Sequence, residues 1–210
     1  MRLFTFLLLP LALLSIIGCE TVHTGVLGDI DTGAKPSGAL NVGDTYNDPK
    51  GRFSLTITDS RNLVARRTSE GVVLEGKDLD RGDVIYAVLV YEIPDTVTGT
   101  DQQVLRATWN GLVSKAASRG GSLTAVDTRE FESDGLACLE VYYRSQQGAN
   151  SLKRGYISRF VKKGGRVYNL YYSYVSMYQD AFDNTVYSTP ESFSGLKEPS
   201  AKFFAGVRLE

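Results

Sequence analysis

Acid–base and nucleophilic chemistry need histidines, cysteines or grouped carboxylates, and this chain of 210 residues has one histidine and two cysteines. The histidine, His23, lies near the N-terminus, ahead of every strong secondary-structure pattern. Serine–histidine and cysteine–histidine catalysis and multi-histidine metal sites are therefore not expected. Cys138 sits in the apolar run GLACLEVYY, which reads as a strand. A lone thiol there reads as a buried core residue rather than a thiolate nucleophile, which would need a neighbouring base or cation. Carboxylates remain as the possible reactive groups: Glu130, Glu132 and Glu140 lie at even spacing along predicted strands. Two further patterns suit binding rather than catalysis. Segment 153–166 carries Lys153, Arg154, Arg159, Lys162, Lys163 and Arg166 without an acidic residue, a candidate surface for anionic lipid or an acidic protein partner. The run YNLYYSYVSMY, with Tyr156 on a neighbouring strand, offers a candidate aromatic face of Tyr156, Tyr168, Tyr172 and Tyr174. The same tyrosines also suit cross-strand packing.

The other cysteine explains the N-terminus. Arg2 precedes an apolar stretch, Leu3–Ile17, too short for a comfortable membrane span. Ile16-Ile17-Gly18-Cys19 then resembles the bacterial lipobox, in which cleavage precedes a cysteine whose sulfur receives a diacylglycerol. The resemblance implies a signal peptide over residues 1–18, lipidation of Cys19 and a firm anchor built from several acyl chains. Glu20 at the second mature position implies the outer membrane, facing the periplasm. Removing residues 1–18 takes away only Arg2, leaving 22 basic and 24 acidic residues and a net charge of −2. Such a balance lacks the basic excess of a nucleic-acid binder, and none is expected as a partner.

Residues 19–45 read as the lipidated cysteine and a flexible tether rich in Gly, Thr and Asp. Within it, Asp31-Thr32-Gly33-Ala34 matches the short motif of retroviral-type aspartic proteases, but no second copy and no apolar strand accompany it. The turn DLDRGD at 78–83 holds Asp78, Asp80 and Asp83, too few ligands for a calcium loop of the EF-hand kind. A solvated turn is expected there, and no metal or other cofactor.

The domain, residues 46–210, opens at the Asp48-Pro49 turn with the alternating strand FSLTI. VVLEGKD and VIYAVLVYEI follow as strands. Thr100 and Gln103 form a capping box for a long helix with Leu105, Trp109, Leu112 and Ala116 on one stripe, ended by Gly120-Gly121. Two hairpins come next: LTAVDTREFE with LACLEVYYR around Ser133-Asp134-Gly135, and LKRGYISRFVKK with RVYNLYYSYVS around Gly164-Gly165. YQDAFD suggests a short helical turn, and Pro199 suits the first turn of a terminal helix. The expected fold is α+β: an antiparallel sheet packed against a long central helix and a C-terminal helix, an α/β sandwich.

YNDPKGRFSLTI, FESDGLACLEVYY, SRFVKKGGRVYNLYY and AKFFAGVRL together resemble the PsbP-like fold. That fold is shared by an extrinsic photosystem II subunit and by bacterial lipoproteins of the DcrB-like kind. The resemblance implies an accessory or binding role for another envelope component and supplies no catalytic residues. A carrier of a small apolar ligand is the alternative, and a carboxylate-dependent hydrolase a further one.

Overall fold

The computed structural model describes residues 37–58, 63–78, 82–147, 154–175 and 187–210. The signal sequence, Cys19, His23, the Asp31–Ala34 motif, residues 79–81 of the aspartate turn, Lys153 and the YQDAFD segment lie outside the described residues.

The described chain runs β1 (Ser37–Leu40), β2 (Thr45–Asn47), β3 (Phe53–Thr56), β4 (Leu63–Arg67), β5 (Gly71–Asp78), β6 (Gly82–Glu92), α1 (Asp101–Ser118), β7 (Gly121–Ser133), β8 (Leu136–Gln147), β9 (Arg154–Lys163), β10 (Arg166–Val175), α2 (Ser194–Ala205) and β11 (Val207–Leu209). Eight strands form one antiparallel sheet in the order β1-β4-β5-β6-β10-β9-β8-β7, and β11-β3-β2 form a small second sheet. Helix α1 packs over β7, β8 and β9, while α2 packs over β9 and β10 on the other side.

Strand alternation divides the large sheet between two cores. On the α2 face, Val72, Leu74, Val84, Tyr86, Val88, Ile157, Tyr168, Leu170 and Tyr172 meet Leu196, Phe203 and Phe204 of α2 and Tyr46, Phe53 and Leu55 of the small sheet. On the α1 face, Val73, Ala87, Leu89, Leu139, Val141, Tyr143, Phe160 and Tyr171 belong to the core that contains Val104, Leu105 and Trp109 of α1. A sheet covered on both sides needs apolar residues at odd and even positions alike. That is why β6, GDVIYAVLVYE, is nearly continuous in apolar residues.

Local signals set the turns and caps. Thr100 Oγ1 accepts from the Gln103 N–H and Gln103 Oε1 accepts from the Thr100 N–H, so the predicted capping box starts α1. The β7–β8 loop holds Asp134 and Gly135 at φ +52° and +73°, the two left-handed residues of a type I′ hairpin. Gly71 allows close strand approach: a Cβ there would lie 1.9 Å from the Val88 carbonyl oxygen.

Three features differ from the sequence reading. β1 pairs with β4, so the end of the segment read as tether supplies a strand. β4 itself, LVARR, hides its apolar positions Leu63 and Ala65 among charged neighbours and goes unseen in the sequence. Pro199 lies inside α2 rather than in its first turn, because a 3₁₀ turn at Pro190–Phe193 leads into the helix five residues earlier. Its missing N–H forgoes one bond to the carbonyl four residues back.

Candidate binding surfaces

The tyrosines divide between the two cores. In the β9–β10 ladder Tyr156 stands opposite Ser173, so it faces α1, whereas Tyr168 and Tyr172 face α2. Tyr156 stacks on Tyr143 at 5.0 Å and 9°, and Tyr143 lies 4.9 Å from Trp109. Tyr171 closes this row edge-on to Tyr156 at 5.9 Å. Across the sheet, Tyr172 meets Tyr86, which meets Phe203. The Tyr168 hydroxyl reaches the carbonyls of Arg52 and Glu210. Burial pushes the phenols of Tyr143 and Tyr171 well above the usual tyrosine range. Tyr156, Tyr168 and Tyr172 are buried and Tyr174 is half-buried against the α2 core. The four expected to share one aromatic face are thus brought together only in part, as Tyr168, Tyr172 and Tyr174, and as packing residues.

Alternation divides the basic segment as well. Arg159 faces α2, donates through Nε at 3.0 Å and Nη2 at 2.7 Å to Glu140, and lies between the rings of Phe131 and Phe204 at 5.2 and 4.7 Å. Lys162 faces α1 and reaches Asp101 at its N-terminus, at 3.2 Å. Lys163 points the other way and donates to the Leu209 carbonyl at 2.7 Å, holding the C-terminal strand. Arg166 pairs with Glu92 across the β10–β6 ladder. The cations beside the Gly164-Gly165 turn therefore do not form one open surface; they connect the strand ends to α1, β6 and β11. Arg154 sits at the far end of β9, roughly 30 Å away at the ordinary strand rise, and has no charged partner among the described residues.

Glu140 is separated from the other two carboxylates. Glu130 and Glu132 face α1, where Glu130 takes the guanidinium of Arg106. Glu140 faces α2, accepting from Arg159 and, at 2.9 Å, from the Tyr142 hydroxyl. Burial and the Glu140 charge push the Tyr142 phenol up to about 12. Cys138 is 1% exposed, and burial raises its thiol above the ordinary value despite nearby Arg159. A protonated, enclosed thiol is a packing group.

Two arrangements have only faint traces in the sequence. Asp48 and Arg52 form a buried ion pair in the turn before β3, signalled by no more than their spacing. Lys115 and Arg119, one turn apart near the end of α1, stand on the α1 side of the sheet, at the Arg154 end of β9.

An eight-stranded antiparallel sheet between a long helix on one side and a terminal helix with a small sheet on the other defines an α+β sandwich of the PsbP-like type. It is similar to the solution structure of cyanobacterial PsbP from Synechocystis sp. PCC 6803, with a TM-score of 0.53 and 15% identity over 80% of this chain and 92% of that one. A crystal structure of PA94 from Pseudomonas aeruginosa, described as a putative regulator of unknown function, aligns with a TM-score of 0.41 and 12% identity over 81% of this chain and 95% of that one. No protein-family model matches the chain, and no curated protein matches it.

Proposed function

We propose that this chain is a non-catalytic, lipid-anchored protein of the bacterial envelope, tethered through Cys19 to the periplasmic face of the outer membrane and acting as a binding or accessory module for another envelope component. The observation that carries the non-catalytic reading is the placement of the carboxylates. Glu140 faces the opposite side of the sheet from Glu130 and Glu132, and Glu130, the one of the three that could pair with Glu132, is engaged by Arg106, as Glu140 is by Arg159. General acid–base work by a carboxylate pair needs both groups beside one substrate. The anchor rests on the lipobox-like Ile16–Cys19 and on a chain of seventeen residues, 20–36, between Cys19 and β1. The test is crosslinking of the membrane-anchored protein in cells, followed by identification of the captured component. A defined envelope partner, lost when Cys19→Ser releases the chain from the membrane, is the expected result. Labelled palmitate incorporated by the Cys19→Ser variant would refute the anchor, and turnover of an ester, amide or glycoside by the purified protein that is lost in Glu140→Gln would refute the non-catalytic reading.

A further inference from the structure

The longest described strand, β7, stands at the edge of the large sheet, with β8 on one side and no strand on the other. Its hairpin fixes which backbone groups look outward. The residues flanking a two-residue loop, here Ser133 and Leu136, form a hydrogen-bonded pair, and such pairs alternate along an antiparallel ladder. Phe131 and Arg129 therefore bond to β8, whereas Glu132, Glu130 and Thr128 turn their N–H and C=O groups away from it. Thr128 agrees with this parity, because its N–H donates to the Asp127 carboxylate at 2.9 Å. The register shift between Ala125 and Asp127 is a bulge, and together with that carboxylate it closes the edge at its middle. Beyond it, Thr128–Ser133 has no proline, no lysine and no second bulge. Thr128, Arg129, Glu130 and Glu132 are exposed and Phe131 is half-exposed. Among the described residues, no loop or side chain bonds the outward backbone groups of Glu130 and Glu132.

We infer that the Thr128–Ser133 edge of β7 takes up an extended segment of a protein partner as an added antiparallel strand, with basic residues opposite Glu130 and Glu132 and an apolar residue opposite Phe131. The inference rests on the binding-module reading above and names its surface. Charge complementarity selects the occupant. Glu130 and Glu132 share the α1 side of the strand; Arg106 engages Glu130, and Glu132 has no ion pair among the described residues. Phe131 lies on the other side, against the α2 core. A strand that alternates basic and apolar residues meets both sides, and its backbone bonds the outward groups of Glu130 and Glu132. A second copy of this chain does not fit. Two-fold antiparallel pairing centred on Arg129, Glu130 or Glu132 sets that residue against itself, and pairing centred on Phe131 sets Glu130 against Glu132. Like charges directly opposite are destabilising. Centring on Thr128 runs the incoming strand into the bulge.

The test follows backbone hydrogen exchange of the full-length protein, residue by residue, with a short peptide that alternates lysine and valine. At about four times its midpoint concentration, the peptide should slow exchange at Glu130 and Glu132 about fivefold. Arg129 and Phe131, already bonded to β8, should keep their rates. A glutamate–valine peptide of the same length should need roughly tenfold more, because two cross-strand pairs become repulsive. Methylating the lysine amides keeps the charges but removes the donors, and should abolish the protection. Glu132→Pro removes an outward N–H and leaves the bonds to β8; it should lose the peptide while the melting temperature stays near that of the parent. Unchanged exchange at Glu130 and Glu132 with millimolar lysine–valine peptide would overturn the inference. Equal protection by the methylated peptide would do the same, by reducing the contact to charge alone. Protection that rises with protein concentration without peptide would also overturn it and assign the edge to a second copy. The methylated peptide decides the matter if Glu132→Pro does not fold. None of these results touches the binding-module reading, which crosslinking of the anchored chain judges separately.

Discussion

Replacing Asp48 by alanine should destabilise the domain more than any other single charge removal outside the sheet. Arg52 donates three bonds to the Asp48 carboxylate: from its backbone N–H at 3.1 Å, from Nε at 2.7 Å and from Nη2 at 2.9 Å. The two side chains are 2% and 6% exposed. Their turn precedes β3, and the Arg52 carbonyl accepts from the Glu210 N–H and from Tyr168, so the pair joins the domain start to the C-terminus. Asp48→Ala leaves an enclosed guanidinium without its hydrogen-bonded counter-charge, with only the Glu92 charge still acting on it, a loss of about 3–5 kcal/mol. For a domain of this size that lowers the melting temperature by roughly 6–20 °C. Burial alone would raise the Asp48 carboxyl, but the Arg52 hydrogen bonds and charge outweigh it and hold the group below its ordinary value. A depressed folded pKa contributes stability above the unfolded value near about 4 and loses it as pH falls through the folded one. Asp48→Asn should therefore flatten the acid limb of the stability profile. Urea titration monitored through Trp109 measures both effects, and Asp48→Ala with Arg52→Met should recover much of the loss because no charge is left buried. A single variant within about 1 kcal/mol of the parent, or a double variant no more stable than the single one, would refute this reasoning.

Cys138 should react slowly with an aromatic disulfide reagent in the native protein and rapidly in denaturant, since the thiol is enclosed and protonated; equal rates would show an open site. Serine at Lys162, Lys163 and Arg166 together should lower the urea midpoint, chiefly through Lys163, because each cation contacts a carboxylate or carbonyl of another element and the Lys163 bond to Leu209 holds the C-terminal strand. An unchanged urea midpoint would show that these contacts hold nothing in place.

The sequence alone decided the elements with strong local causes. Thr100 and Gln103 start α1 through a capping box, Asp134-Gly135 can take the positive φ angles of a tight hairpin, and the alternation around Phe53 and Leu55 defines a half-buried strand. These signals lie within a few residues and need no partner elsewhere in the chain. β1, β4 and β11 were not legible in that way. They are short, and β4 carries its buried Leu63 and Ala65 among arginines, so their strand character comes from the neighbours they pair with. The candidate surface depended still more on tertiary structure. One-dimensional spacing grouped Arg154, Arg159, Lys162, Lys163 and Arg166, but a strand sends alternate side chains to opposite faces and separates its ends by roughly 30 Å. Each face then has its own helix, which engages Arg159 through Phe204 and Lys162 through Asp101, and which brings Lys115 and Arg119, some 35–39 residues earlier in the chain, to the end of the sheet where Arg154 remains.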